Sequence, residues 1–304
     1  MKVLYTSDTH VHPAHLGRLL TAAMQLRPDA VIIGGDLIPA WKGSIAASIE
    51  SHRAWVRDKL LPRLGKFRAE CPHIPVLLDL GNDDIAAARP LMEARDGEDL
   101  HLLHMRLVEL DEGLAVAGYM NVNPTPFAIK DREKPDCGDR DGLSDAAVRR
   151  SGSETWSGSE VPVELNLADG TIEDDLEELS ATLESPRWSS RSFIFVSHAP
   201  PRDTALDQTG TGAHVGSLAV RRFIEKWGSE GRLVAALHGH IHESPWQSGR
   251  AWQYVANVPC FNVGQQGHIL RALLMDTGNV ADSARAVVVE PSGQVSVREK
   301  DEWL

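Results

Sequence analysis

Residues 30–36 read AVIIGGD: four apolar residues, two glycines and a carboxylate. A short apolar run stopped by Gly34-Gly35 reads as a strand buried on both faces, as in a parallel sheet. The same grammar recurs on either side. KVLYT at 2–6 ends at Ser7-Asp8, and PVLLDL at 75–80 is broken by Gly81-Asn82. Between these runs Leu16, Leu19, Leu20, Ala23 and Met24 have helical spacing over 14–26. Ile45, Ile49, Trp55, Val56 and Leu60 predict a second helix over 44–61. Strand, helix, strand, helix, strand within the first 80 residues predicts an α/β layered fold.

Farther on, residues 100–118 suggest strands, most clearly LAVAG at 114–118. Residues 121–160 are rich in Pro, Gly, Ser, Asp and Arg and poor in apolar side chains, and read as a long insertion. TIEDDLEELSATLE at 171–184 places Ile172, Leu176, Leu179 and Leu183 on one helix face, with acids near the N-terminus, where the helix dipole favours them. Its acidic face reads as solvated, with a lid shared with the insertion as the alternative. SFIFVS at 192–197 is a strand ending at His198, SLAVRRFIEKW at 217–227 a helix, and LVAAL at 233–237 a strand ending at His238-Gly239-His240. WQYVANV, HILRALLMD and ARAVVVE read as further strands. The expectation is one domain over 1–304 with an insertion or lid at about 121–190 and no internal repeat.

Composition narrows the function. The chain has 304 residues, 42% hydrophobic and 24% charged, as in ordinary globular proteins. A formal net charge of −12 repels polyanions, so extended nucleic-acid binding is not expected. A small phosphate substrate stays open, because bound cations invert the local field. Cys71, Cys137 and Cys260 lie far apart without a C-x-x-C pair, which fits a reduced cytoplasmic protein. MKVLYTSDTHVH does not read as a signal peptide, and no apolar run approaches the ~18 residues of a transmembrane helix, so no membrane partner is expected. The sequence is silent on oligomeric state.

Five separated segments place a potential metal ligand directly behind an apolar strand: Asp8-Thr9-His10, Gly35-Asp36, Gly81-Asn82-Asp83, His198, and Gly239-His240-Ile241-His242. Strand C-termini are where ligands gather in layered α/β sheets. Taken singly, each reads first as an ordinary turn or as a surface or satisfied core histidine. As an ordered set they point to one shared metal site.

That ordered set resembles the calcineurin-like metallophosphoesterases, whose motifs run D-x-H, G-D, G-N-H-(D/E), H and G-H-x-H. The matching positions run from Asp8 to His242, and GAHVGSLAVRRFIEKW ahead of LHGHIHESPW is also similar. The resemblance implies a four-layer αββα sandwich of two mixed sheets. It implies one metal held by Asp8, His10, Asp36 and His242, and another held by Asp36, Asn82, His198 and His240, with Asp36 bridging. Mixed nitrogen and oxygen ligands suit Mn, Fe, Zn, Co or Ni. Two cations about 3.5–4 Å apart polarise a phosphoryl group and supply a hydroxide nucleophile, so no Ser or Cys nucleophile is required.

The third motif departs from the family. Asp83 stands where the family commonly has a histidine that contacts the scissile phosphate. An ionised Asp83 repels a phosphate unless it is turned away, protonated or paired. Some members of the family lack this histidine and act on phosphodiesters, which carry one negative charge fewer than monoester dianions. The reading is therefore a phosphodiesterase of a small phosphoester substrate, ahead of a phosphomonoesterase. Asp84 matches the acid ending the motif, in a role supporting a ligand histidine. His214, in GAHVGS before a helix start, is a candidate contact to a substrate oxygen, with a plain loop histidine as the alternative. His12 reads as a rim or loop histidine, His238 as a packed strand end, and Trp246 and Trp252 as core or pocket wall. Two rivals stand. His10-Val11-His12 also suits the H-x-H opening of barrel-shaped amidohydrolases and phosphoesterases, which leaves the later segments without a role. A non-catalytic scaffold of the same fold is the other.

Overall fold

The apolar run at 30–33 is a strand, Ala30–Ile33 (β2), buried throughout. In the computed structural model, which describes residues 1–39, 45–127, 129, 131–138 and 170–303, β2 lies parallel to Lys2–Thr6 (β1) on one side and Val76–Leu78 (β3) on the other. His101–Leu102 (β4) extends the parallel set beyond β3. On the far side of β1, Leu270–Asp276 (β11), Arg285–Val289 (β12) and Val295–Glu299 (β13) add antiparallel strands and complete a seven-stranded sheet. A six-stranded sheet follows the order Arg106–Glu109 (β5), Leu114–Tyr119 (β6), Ser192–Ser197 (β7), Leu233–His238 (β8), Val258–Asn262 (β10) and Trp252–Val255 (β9). Its inner strands β6, β7, β8 and β10 are parallel.

The two-residue period of a strand sorts each side chain into a layer. Val3 and Tyr5 of β1, with Ile32 and Leu77, pack against Val116, Ile194, Val196, Ala235, Leu237 and Phe261 of the second sheet. Leu4, Val31, Ile33, Val76 and Leu78 point the other way, onto Leu16, Leu19, Leu20, Leu60, Leu64 and Phe67. Ala117, Phe193, Phe195 and Ala236 meet Leu176, Leu179, Leu183, Phe223, Ile224 and Trp227 on the outer face of the second sheet. Helices, sheet, sheet, helices: the chain forms the four-layer sandwich of two mixed sheets. That arrangement excludes the barrel that the H-x-H reading required.

Several elements differ from expectation. The helix over 44–61 runs on as Ile45–Trp55, a π-helical stretch Val56–Leu60, and Leu61–Glu70. Pro62, which has no N–H to donate, falls at the first turn of the last segment, just after the wider stretch. WQYVANV is not one strand. Ala256 and Asn257 have φ of 46° and 68°, the two positive φ values of a type I′ turn, and they fold β9 back onto β10. Of the insertion, 121–127, 129 and 131–138 are placed and 139–169 lies outside the described residues. The acidic helix, Ile172–Glu184, begins with a capping box in which Thr171 and Asp174 satisfy each other's backbone amides. Among the described residues, no helix is long and apolar enough to cross a membrane.

Candidate metal centre

The parallel register brings the strand ends together. Thr6 lies opposite Ile33, so the turns that follow run side by side. The Asp8 amide donates to Gly35 O at 3.1 Å and the His10 amide to Asp36 O at 3.0 Å. In the second sheet Ser197 lies opposite His238, and the Gly239 amide donates to His198 O at 3.1 Å. His198 Nδ1, 2.7 Å from Gly34 O, helps join the two sheets at this edge.

Asp8, His10, Asp36 and His242 converge, with one ligand-type atom from each lying within 4.8 Å of all the others. Asn82 and His198 adjoin them. His198 Nε2 is 3.0 Å from Asn82 Oδ1 and 3.2 Å from Asp36 Oδ2. The His240 ring lies 5.4 Å from that of His198, centroid to centroid, and the His240 amide donates to Asp8 Oδ1 at 3.0 Å. Asp36 touches both halves of the set. Asp8, Asp36 and His240 all adopt left-handed backbone, with φ of 58°, 51° and 68°. For non-glycine residues that strain costs on the order of 1–3 kcal/mol each, and it persists where the surroundings fix it. Two glycines make room for the cluster. A Cβ on Gly81 would stand 2.1 Å from Asp36 Oδ1, and one on Gly239 would stand 2.5 Å from Asp8 Oδ2.

Buried charges of opposite sign set the electrostatics. Burial would raise the Asp36 carboxyl, but the neighbouring His198 and His10 rings outweigh it and hold it well below the usual range. Burial likewise opposes ionisation of Asp8, and His242, with Nε2 3.3 Å from Asp8 Oδ1, reverses the balance. Burial would lower His198 and His242, yet Asp36 and Asp8 push them up to about 10 and about 9. Burial and then His198 push His240 down to about 3. Asp84, fully buried, accepts from the amides of Leu37, Ile38 and Gly81 at 2.8–2.9 Å and so clamps the Asp36 turn to the Gly81 turn. It grips backbone rather than a ligand histidine.

Divalent cations fit this donor set. Asp8 Oδ2 is buried without a hydrogen-bond partner, a costly state for a carboxylate oxygen. His10 and His198 each turn Nδ1 to a backbone carbonyl, of Asp36 at 3.2 Å and of Gly34 at 2.7 Å. That leaves Nε2 of each ring facing the cluster, the usual way ligand imidazoles are oriented.

A cavity of about 330 Å³ opens over the cluster, lined on one side by Asp36, Asn82, Asp83, His240 and His242. Its other wall includes Asn123, Pro124, Pro126, Phe127, Val215 and Ile241, with the Phe127 side chain 53% exposed. Sequence patterning placed this Asn-Pro-Thr-Pro-Phe stretch in the insertion or lid at about 121–190 without naming any of its residues as a contact; its two prolines are the sign of a stiff wall. Long-range pins hold it. Arg132, together with Arg89, reaches the fully buried Asp79 at 3.5 and 3.3 Å. Asp136 accepts from the amide of Leu218 at 2.7 Å, at the start of the helix Leu218–Ser229. A larger groove, about 480 Å³, lies between that helix and Ile172–Glu184. Its charged rims pair with each other, Arg222 with Glu173 at 2.7 Å and Lys226 with Glu184 at 2.9 Å, and it holds none of the cluster residues.

Other candidates stand apart. His214 is beside the cavity but not in its lining; its Nδ1 lies 2.6 Å from Oδ1 of the buried Asp207. His12 faces His15 and His268, with ring centroids 5.4 and 4.7 Å away. His238 is packed at the end of β8 against the carbonyls of Ser197 and Ala199.

Behind the wall, His104 Nδ1 accepts the Met120 amide at 3.0 Å, which requires an unprotonated Nδ1. Burial, aided by Arg132, pushes this ring down to about 3, against about 6.5 when unfolded. The unfolded chain therefore binds the extra proton first, and stability falls as pH drops below about 6.5. His104→Gln should flatten that acid limb by up to about 1.4 kcal/mol per pH unit, read by denaturant titration between pH 6 and pH 4. An unchanged slope would show that His104 does not couple.

The family model for calcineurin-like phosphoesterases matches residues 1–244. No curated protein sequence matches the chain. Solved structures with the same fold include TT1561 of Thermus thermophilus, at 14% identity over 98% of both chains with a TM-score of 0.54. A dimetal phosphatase from Danio rerio aligns at 12% identity over 99% of both chains, TM-score 0.51. The calcineurin-like phosphoesterase YfkN from Bacillus subtilis aligns at 13% identity over 99% of this chain and 93% of its own, TM-score 0.50. At these identities the likeness is one of fold.

Proposed function

The chain belongs to the calcineurin-like phosphoesterase family, and from that premise we propose that it hydrolyses a phosphodiester at a two-metal centre bridged by Asp36. The observation that carries the reading is the convergence of Asp8, His10, Asp36 and His242, with Asn82, His198 and His240 against it, next to a cavity that Asp36, Asn82, His240 and His242 help to line. One ion would rest on Asp8, His10, Asp36 and His242, the other on Asp36, Asn82, His198 and His240. Bound there, divalent cations polarise a phosphoryl group and acidify an attacking water.

The chain's own residues do the rest. Asp36 Oδ2 lies 3.2 Å from His198 Nε2 and 3.9 Å from His10 Nδ1, one ring from each half of the set, and Oδ1 accepts the Asp83 amide at 2.9 Å. His10 and His198 stay in the tautomer that their carbonyl contacts select. The apolar wall of Pro124, Pro126, Phe127 and Val215 gives a second ester substituent a place out of water, which a phosphomonoester does not need. The Asp83 carboxylate beside the floor disfavours a dianion more than a monoanion.

The test compares kcat/KM for bis-p-nitrophenyl phosphate and p-nitrophenyl phosphate with Mn²⁺, two substrates sharing one leaving group. The diester should be preferred; a preference for the monoester would overturn the diester reading while leaving family and fold intact.

A further inference from the structure

Asp83 occupies the motif position where the resemblance places a histidine, and it is not turned away. Its Oδ2 lies 3.5 Å from His10 Nε2. That ring atom is the one left free when His10 Nδ1 faces the Asp36 carbonyl. We propose that the Asp83 carboxylate is itself a ligand of the metal centre, sharing an ion with His10. The inference rests on the two-metal reading above.

The distances support it. Metal–ligand bonds of about 2.0–2.2 Å, at octahedral to tetrahedral angles, set neighbouring donor atoms about 2.8–3.6 Å apart. Asp83 Oδ2 and His10 Nε2 have that spacing. The carboxylate is also held in place. Its Oδ1 accepts from Asn82 Nδ2 at 3.1 Å, and its backbone amide donates to the bridging Asp36. Asp83 is thus tied on either side to two other ligands. It lines the cavity floor and is 37% exposed there, so it meets the ion from the open side.

Charge points the same way. Asp83 faces Asp36, and among the described residues no Lys or Arg makes an ion pair with it. In the adjoining cluster the buried Asp8 Oδ2 has no hydrogen-bond partner. Three carboxylates gathered with imidazoles and, among the described residues, no Lys or Arg paired to them suit divalent cations. Bound to an ion, Asp83 leaves a two-cation site only one positive charge in excess, which weakens its pull on a dianion relative to a monoanionic diester. It also adds a hard oxygen donor, which moves the site toward Mn²⁺.

The experiment measures Mn²⁺ binding to the full chain by calorimetry after chelation and dialysis, for wild type, Asp83→Asn, Asp83→Ala and Asp83→Glu. Melting of the metal-free proteins is recorded alongside, together with visible spectra of the Co²⁺-loaded ones. Asp83→Asn and Asp83→Ala should each weaken one of two Mn²⁺ sites at least about tenfold. Asp83→Glu should recover part of that affinity, the Co²⁺ bands of Asp83→Asn should shift, and metal-free melting should not move. Unchanged Mn²⁺ affinity and Co²⁺ spectra in Asp83→Asn and Asp83→Ala would overturn the assignment, even if turnover falls. A matching drop in metal-free melting would also overturn it, by making Asp83 structural. A wild-type chain that binds no Mn²⁺ fails the two-metal reading itself, an outcome distinct from either.

Discussion

Asp36→Asn is expected to lower diester turnover by roughly 10³-fold or more, about 4 kcal/mol of transition-state stabilisation, with little change in fold. The Asp36 carboxylate is in contact with imidazoles of both halves of the cluster. Its Oδ2 lies 3.2 Å from His198 and its Oδ1 accepts the Asp83 amide. Asn keeps the size and tolerates the left-handed φ of 51° found there. What it loses is the charge that both ions would share. His198, now pushed up to about 10 chiefly by Asp36, should then titrate lower. NMR titration of His198 and a steady-state assay on the same preparation check both parts. Wild-type turnover in Asp36→Asn would remove the bridging role.

Gly81→Ala should be nearly as damaging by a different route. The added Cβ would stand 2.4 Å from the Asp36 amide and 2.1 Å from Asp36 Oδ1. The first of these is backbone, so no rotamer change relieves it. The Gly81 and Asp36 turns are also fastened together through Asp84, which takes amides from both. Overpacking of this kind costs about 1–3 kcal/mol or more in stability. Most of the displacement falls on Asp36, so metal affinity should drop at least about 100-fold. Mn²⁺ titration and thermal melting measure the two effects. Wild-type affinity would mean that the turns can separate without disturbing the ligands.

The strands and the ligand-type motifs behind them were legible for one reason. Strands buried on both faces must be apolar throughout, so AVII and SFIFVS stand out, and whatever follows each of them lies at the sheet edge. Asp8, His10, Asp36 and His242 follow such runs and meet in space. β10 was hidden because Pro259 sits inside it; that residue faces Tyr254 of β9, and the pairing with β8 begins only at Cys260. The turn at Ala256-Asn257 lacked the glycine that marks most turns of its type. The cavity wall was beyond sequence patterning. Pro124, Pro126 and Phe127 are held there by Arg132 reaching Asp79 and Asp136 reaching Leu218, pairs about 50 and 80 residues apart in the chain. No local periodicity encodes such contacts. Asp83 was conspicuous as a departure, but whether it turned toward the site depended on the 3.5 Å approach to His10.

If cations held by this cluster carry phosphodiester cleavage, removing them must stop it. The direct measurement strips the protein with chelator, assays bis-p-nitrophenyl phosphate, and then titrates Mn²⁺ back while counting bound metal per chain. A two-metal centre predicts no turnover in the stripped protein and recovery that saturates at two Mn²⁺ per chain. Undiminished turnover by the metal-free protein would contradict it.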